Sequence, residues 1–134
     1  MARDEENLGN QLQANCIPDH WVWSTLGEVT SKIVGGGTPP KENTEYFQGS
    51  IPLMTVKDMN TRLVSKTGFN ITQTALEKSS AKLIPAGTVV IATRMGLGKV
   101  VRPITDVAIN QDLKALFCQK FLDDDYLERW LWLV

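Results

Sequence analysis

Apolar positions along the chain fall into short runs broken by glycine, proline and serine. The large-small alternation of WVWSTL (21–26) predicts a strand. LGEVTSKIVGGG, which follows, predicts a short helical turn that dissolves into glycine. SIPLMTVKDM (50–59) predicts a second strand, opened after Gly49 and closed at the Asp58 turn. In NITQTALEKSSAKLIP (70–85), Thr72 as N-cap, a run of helix formers and Pro85 as a stop predict a helix. AGTVVIATR (86–94) is the strongest strand signal, and with MGLG and KVVRPI it predicts a β-hairpin with a glycine-rich tip. VAINQDLKALFC (107–118) reads as a strand pair or one bent strand. DDDYLERWLWLV opens a helix capped by Asp123, with acids in the first turn where the helix dipole favours them. Leu127, Trp130, Leu131 and Val134 then fall at i, i+3, i+4 and i+7, an apolar stripe expected to continue onto a partner. The stripe stops just as it starts, the pattern of one module of a longer protein or of a truncated product.

Composition narrows the class. A chain of 134 residues suits one domain that buries roughly two-thirds of its unfolded surface. Hydrophobic residues at 43% and charged residues at 22% are ordinary for a globular protein. No apolar run approaches the roughly 18 residues of a membrane span. The opening MARDEENLGNQLQAN is acidic and polar, the reverse of a secretory signal, and residues 1–17 read as a loose leader. Cys16 and Cys118 are the only cysteines, so a disulfide framework is not implied and a cytoplasmic location is expected. With His20 as the single histidine, soft ligands are too few for a zinc site.

Net charge, −1, hides an asymmetry. From Lys32 to Arg102 ten basic residues face four acids, a surplus of six, while both flanks are acidic. Such a distribution suggests a basic working face framed by acidic ends.

Motifs for chemistry fail on inspection. MGLGKVV has Val100 after Lys99, where a phosphate loop needs a hydroxyl for magnesium, and Val101 stands where a dinucleotide fingerprint needs its third glycine. Asp106, Asp112 and Lys114 offer the pieces of a metal-dependent nuclease, but surface ion pairing is the commoner use of acids so placed. Neither catalysis nor a cofactor is expected.

Four clusters in order carry a resemblance: WVWSTLGEV, GGGTPPKENTEYFQGSIPLMTVKDM, NITQTALEKSSAKLIPAGTVVIATRMGLGKV and AINQDLKAL. Together, over residues 18 to 133, they resemble a target recognition domain of a type I restriction-modification specificity subunit. The family's Gly-Thr-Pro segment, aromatic turn and Ile-Pro strand start are matched here by Gly37, Thr38 and Pro39, then Tyr46, Phe47 and Gly49, then Ile51 and Pro52. The resemblance implies an α+β fold in which a mixed or antiparallel β-sheet carries short helices. It places the recognition domain at 18–121 and the start of a spacer helix at 122–134. It further implies a non-catalytic reader of one half of a split duplex DNA target. The partners it implies are a methyltransferase subunit, a restriction subunit, and a second recognition domain or second copy.

A duplex reader needs cations for phosphates and polar side chains for base edges. Arg94 and Lys99 bracket the MGLG tip, and Thr38 and Lys41 are candidates for backbone phosphate. Lys57, Asn60, Arg62, Ser65 and Lys66, less bound to any motif, are the candidates for base readout. The amides of Asn110 and Gln111 suit adenine, although as a hallmark pair they fit a structural role better. Leu127, Trp130, Leu131 and Val134 are the candidate partner-binding residues. The competing expectation is a protein-interaction fragment that binds methyltransferase through Trp130 and Trp132 without useful DNA affinity.

Overall fold

The computed structural model describes residues 17–133, so the leader at 1–16 and Val134 lie outside the described residues. Strands dominate, as β-branched and apolar runs of two to six residues dictate. In chain order they are β1 (Thr30–Gly35), β2 (Ile51–Met54), β3 (Leu63–Val64), β4 (Phe69–Ile71), β5 (Lys82–Ile84), β6 (Val89–Ala92), β7 (Val100–Pro103), β8 (Val107–Ile109) and β9 (Leu113–Cys118). The helices are α1 (Leu26–Val29), α2 (Gln73–Lys78) and α3 (Asp124–Leu133). One sheet runs β1-β9-β6-β7-β3 and the other β4-β2-β8-β5. Both are mixed, because β3 pairs parallel to β7 and β2 parallel to β8 while the other pairs are antiparallel. The α+β class expected from the sequence is the class observed.

Alternation along the strands builds the layers. Val90, Ala92, Val101, Leu113 and Ala115 of the first sheet meet Met54, Ile84, Val107 and Ile109 of the second in one buried cluster. The intervening residues point the other way. Val89, Val100 and Leu116 form a second cluster beneath Leu127 of α3. Leu53, Ile71 and Ala108 form a third with Ala75 of α2, sealed by Tyr46 and Phe47.

Local signals held where both halves of the signal are local. Thr72 caps α2 by accepting from the Ala75 N–H, and Asp123 accepts from the Asp125 N–H at the start of α3. Gly96 and Gly98 sit at φ 65° and 93° in the hairpin tip between β6 and β7, a conformation that side chains resist. Elsewhere the expectations need correction. WVWSTL is not a strand: Trp21 and Trp23 are exposed, and Thr25 caps α1 instead. The following segment is helical for four residues only, after which Thr30, Ile33 and Val34 join β1 opposite β9. The helix expected to reach Pro85 ends at Lys78, because Ser79 and Ser80 interrupt it and residues 82–84 pair with β8. The strand expected over 50–59 ends at Met54, where Thr55 and Asp58 close a capping box around a 3-10 turn. Residues 107–118 form two strands that never pair with each other, since the Asn110 turn carries the chain from one sheet to the other.

An ionic cluster ties α3 down. Glu128 is fully buried and accepts from Arg62 Nε, while Arg102 donates to Asp125 and lies 3.8 Å from the second Glu128 oxygen. The hydrogen bond and charge of Glu128 hold the Arg62 guanidinium above its ordinary value. Burial, helped by a hydrogen bond to Asp124, pushes the Cys118 thiol up to about 12, so it stays protonated beside this helix. Removing the carboxylate takes from Arg62 its hydrogen-bonded partner and from the partly buried Arg102 one of two acidic neighbours, Asp125 remaining. Breaking a buried pair costs about 3–5 kcal/mol. Because Arg62 is half exposed and so partly screened, Glu128→Ala is expected to cost roughly 2–4 kcal/mol. Urea denaturation should show it as a lower midpoint at unchanged slope.

Candidate nucleic-acid interface

The GGGTPP segment folds as it does because glycine lets it lie directly on the Asn110 turn. Gly36 packs against the Ile109 carbonyl, where a Cβ would overlap the oxygen, and the Gly37 N–H donates to that same carbonyl at 3.2 Å. Pro39 is fully buried, and Thr38 Oγ1 lies 2.6 Å from Gln111 Oε1 as its hydrogen-bond donor. The backbone at Gly49 similarly lies on the carbonyl of Ile71, which fixes the aromatic turn of Tyr46 and Phe47 beneath β4. Asn110 is buried and its Oδ1 accepts from the Asp112 N–H, so its side chain shapes the turn, while Gln111 stands exposed beside Thr38.

The 3-10 turn after β2 is the second wall. Asp58 accepts from the N–H groups of Thr55 and Gly68, binding the turn to the loop that carries Ser65 and Lys66. Asn60 donates to the Lys57 carbonyl at 2.7 Å and so braces the segment that presents the Lys57 ammonium. The hairpin tip is the third wall. Gly96 lies close to Val56, where an added Cβ would stand 2.7 Å from Cγ1, and the Thr93 N–H donates to the Asp112 carbonyl. Arg94 Nε faces the Asp112 carboxylate at 3.6 Å.

Between these walls opens a cleft of about 330 Å³. Thr38, Lys41, Lys57, Asn110 and Gln111, five of the expected DNA-binding residues, line it. Its floor is apolar, made by Leu53, Val56 and the edge-to-face pair Phe47 and Phe69, whose centroids are 5.9 Å apart, with Met95 on the hairpin wall. Lys41, Lys57, Lys66 and Lys99 enter no ion pair among the described residues. The hairpin flanks bring Arg94 and Lys99 to the same side as the Val56 turn.

Not every expected residue gathers here. Arg62 is turned to Glu128 on α3 and does not line the cleft. Arg102 is likewise taken up by α3, and Lys32 lies over the Phe117 ring, so the cationic segment is split between the cleft and structural work. The apolar stripe of α3 also needs correction, because Leu127 is 3% exposed and serves the chain's own core while Leu131 packs beside it. Trp130 and Trp132 remain 48% and 58% exposed. Asp106 accepts from the Ala86 N–H and Asp112 faces Arg94, so the two acids weighed for a nuclease have separate structural partners. Sequence reading passed over Phe47, Phe69 and Met95 as site residues. Met95 was within reach, since it stands in the very tip whose glycines drew attention.

The family model described as the type I restriction modification DNA specificity domain matches residues 18–133. The chain belongs to this family. Among its relatives, the specificity subunit of the type I restriction enzyme EcoR124I/EcoR124II of Escherichia coli is 41% identical over 99 residues, covering 70% of this chain and 24% of that protein. The specificity subunit of the MjaIX enzyme of Methanocaldococcus jannaschii is 27% identical over 114 residues, covering 83% of this chain and 26% of that protein. In solved structures, the fold is similar to the HsdS subunit from Thermoanaerobacter tengcongensis, with a TM-score of 0.66 at 21% identity. A chain from a study of assembly and conformational transition in the type I R-M system gives a TM-score of 0.71 at 22% identity. Each of these two matches covers 98% of this chain and 34% of the larger one. The specificity domain therefore spans about a quarter of the curated relatives and a third of the solved chains. Among the described residues of the domain, no helix is long and apolar enough to cross a membrane, and no three His, Cys, Asp or Glu side chains are grouped to hold a metal ion.

Proposed function

We propose that this specificity domain binds duplex DNA at the cleft and reads one half of a bipartite target for methyltransferase and restriction subunits, without catalysis of its own. The carrying observation is the convergence of Thr38, Lys41, Lys57, Asn110 and Gln111 on one cleft whose lysines are unpaired among the described residues. Free ammonium groups at the rim neutralise phosphates, and the exposed Gln111 amide, held by Thr38, is placed to meet a base edge. Ser65 and Lys66, on the loop tied to the Lys57 turn, extend the same surface, and Asn60 acts through that turn. Arg62 contributes through α3 and not at the DNA.

Exposed Trp130 and Trp132 favour a second role for α3, as a surface for a methyltransferase or for a second recognition domain or copy. Selection of bound duplexes from a random pool tests the main reading. One short motif should be enriched, and its bases should change when Gln111 is substituted. Recovery of unrelated sequences would leave α3 as the only interaction surface.

A further inference from the structure

The β6–β7 hairpin presents something the charge argument does not use. Met95 is 64% exposed and Leu97 is 74% exposed, the two side chains standing at the tip on either side of Gly96. Large apolar side chains at a protruding turn gain nothing for folding. Here the turn is also fixed: Gly96 is seated against Val56, and the strands behind it are registered through Val90 with Val101 and Ile91 with Val100. Cations flank the pair on both sides, Arg94 before and Lys99 after. Met95 additionally forms part of the cleft wall beside Lys57.

A two-stranded ribbon fits the major groove, which is about 12 Å wide, and the apolar group exposed there is the thymine C5-methyl. Polar bases offer nothing else to a thioether or an isobutyl side chain. We propose that Met95 and Leu97 enter the major groove and discriminate for thymine by packing on its methyl group, while Arg94 and Lys99 hold the flanking phosphates. The proposal rests on the duplex-binding reading above and adds the base edge this hairpin recognises. Because both side chains are exposed and touch little of the core, shortening them leaves the fold intact.

The test uses the full chain and the duplexes recovered from the random pool, each made a second time with deoxyuridine in place of every thymine. That replacement removes the methyl groups and leaves pairing, charge and the minor groove unchanged. The wild-type chain should bind the uridine duplex three- to tenfold more weakly, and Met95→Ala/Leu97→Ala should bind both duplexes alike, at the weaker level, with the salt dependence of the wild type. A merely structural role for the tip predicts instead that the double variant weakens both duplexes by one factor and keeps the thymine preference. Either that result, or a wild type that binds both duplexes equally, overturns the hairpin proposal and leaves the duplex-binding reading standing. If the pool yields no preferred duplex, both fall.

Discussion

Gly36→Ala should be among the most damaging single substitutions in this chain, lowering stability by about 3 kcal/mol or more. A methyl group at this position would overlap the Ile109 carbonyl and crowd the Asn110 carbonyl. Those atoms are backbone, so no rotamer change relieves the clash, and the cost exceeds the about 1–3 kcal/mol of ordinary overpacking. Either β1 separates from the Asn110 turn or the turn leaves β8. In both cases Thr38 loses Gln111 and the cleft opens. Gly27→Ala is the contrast: it lies in α1 with its nearest neighbour 4.0 Å from the added Cβ, and helix propensity predicts no loss and up to about 1 kcal/mol of gain. Thermal unfolding of the two variants side by side checks the pair. Equal melting temperatures would mean that the GGGTPP segment is not packed on the turn as described.

The second large effect falls on binding. Lys41→Glu/Lys57→Glu should weaken duplex affinity on the order of 100-fold near 0.1 M salt, whatever the sequence of the duplex. Each lysine lost removes a phosphate contact, so the slope of log affinity against log salt should flatten by about two. Both side chains are exposed and enter no ion pair among the described residues, and the melting temperature should therefore hold. Lys78→Glu changes the charge by half as much on α2, outside the cleft lining, and should change affinity little. Anisotropy titrations of the three proteins separate the cases, since net charge alone predicts at least half of the double variant's loss from the single one.

What could be seen in the sequence depended on how far apart the cooperating residues stand. Thr72 and Ala75, Asp123 and Asp125, and the hairpin around Gly96 are near neighbours, and their elements were legible. Residues 82–84 carried helical company and became a strand only because Ala108 lies opposite Leu83. Trp21 to Thr25 alternate like a strand but pair with no strand among the described residues, so the alternation misled. The cleft has the same history. Thr38 and Gln111 are 73 residues apart, and the family resemblance, not any local pattern, marked both motifs as belonging together. Arg62 reads as a DNA contact because it is a cation of the basic segment in a stretch bound to no motif. Its partner Glu128 lies 66 residues on, where composition gives no hint that a glutamate in an amphipathic helix will be buried. A charge count over a segment treats every cation as free, and here the fold itself uses Arg62 and Arg102.

Whether the cleft and its cations hold a double helix is the claim on which everything else depends. Titration of the full chain against a fluorescent duplex across a series of salt concentrations measures this directly. With Lys41, Lys57, Arg94 and Lys99 at phosphates, log affinity should fall linearly with log salt at a slope of about three to five. Binding that is absent even at low salt, or that ignores salt, would contradict it.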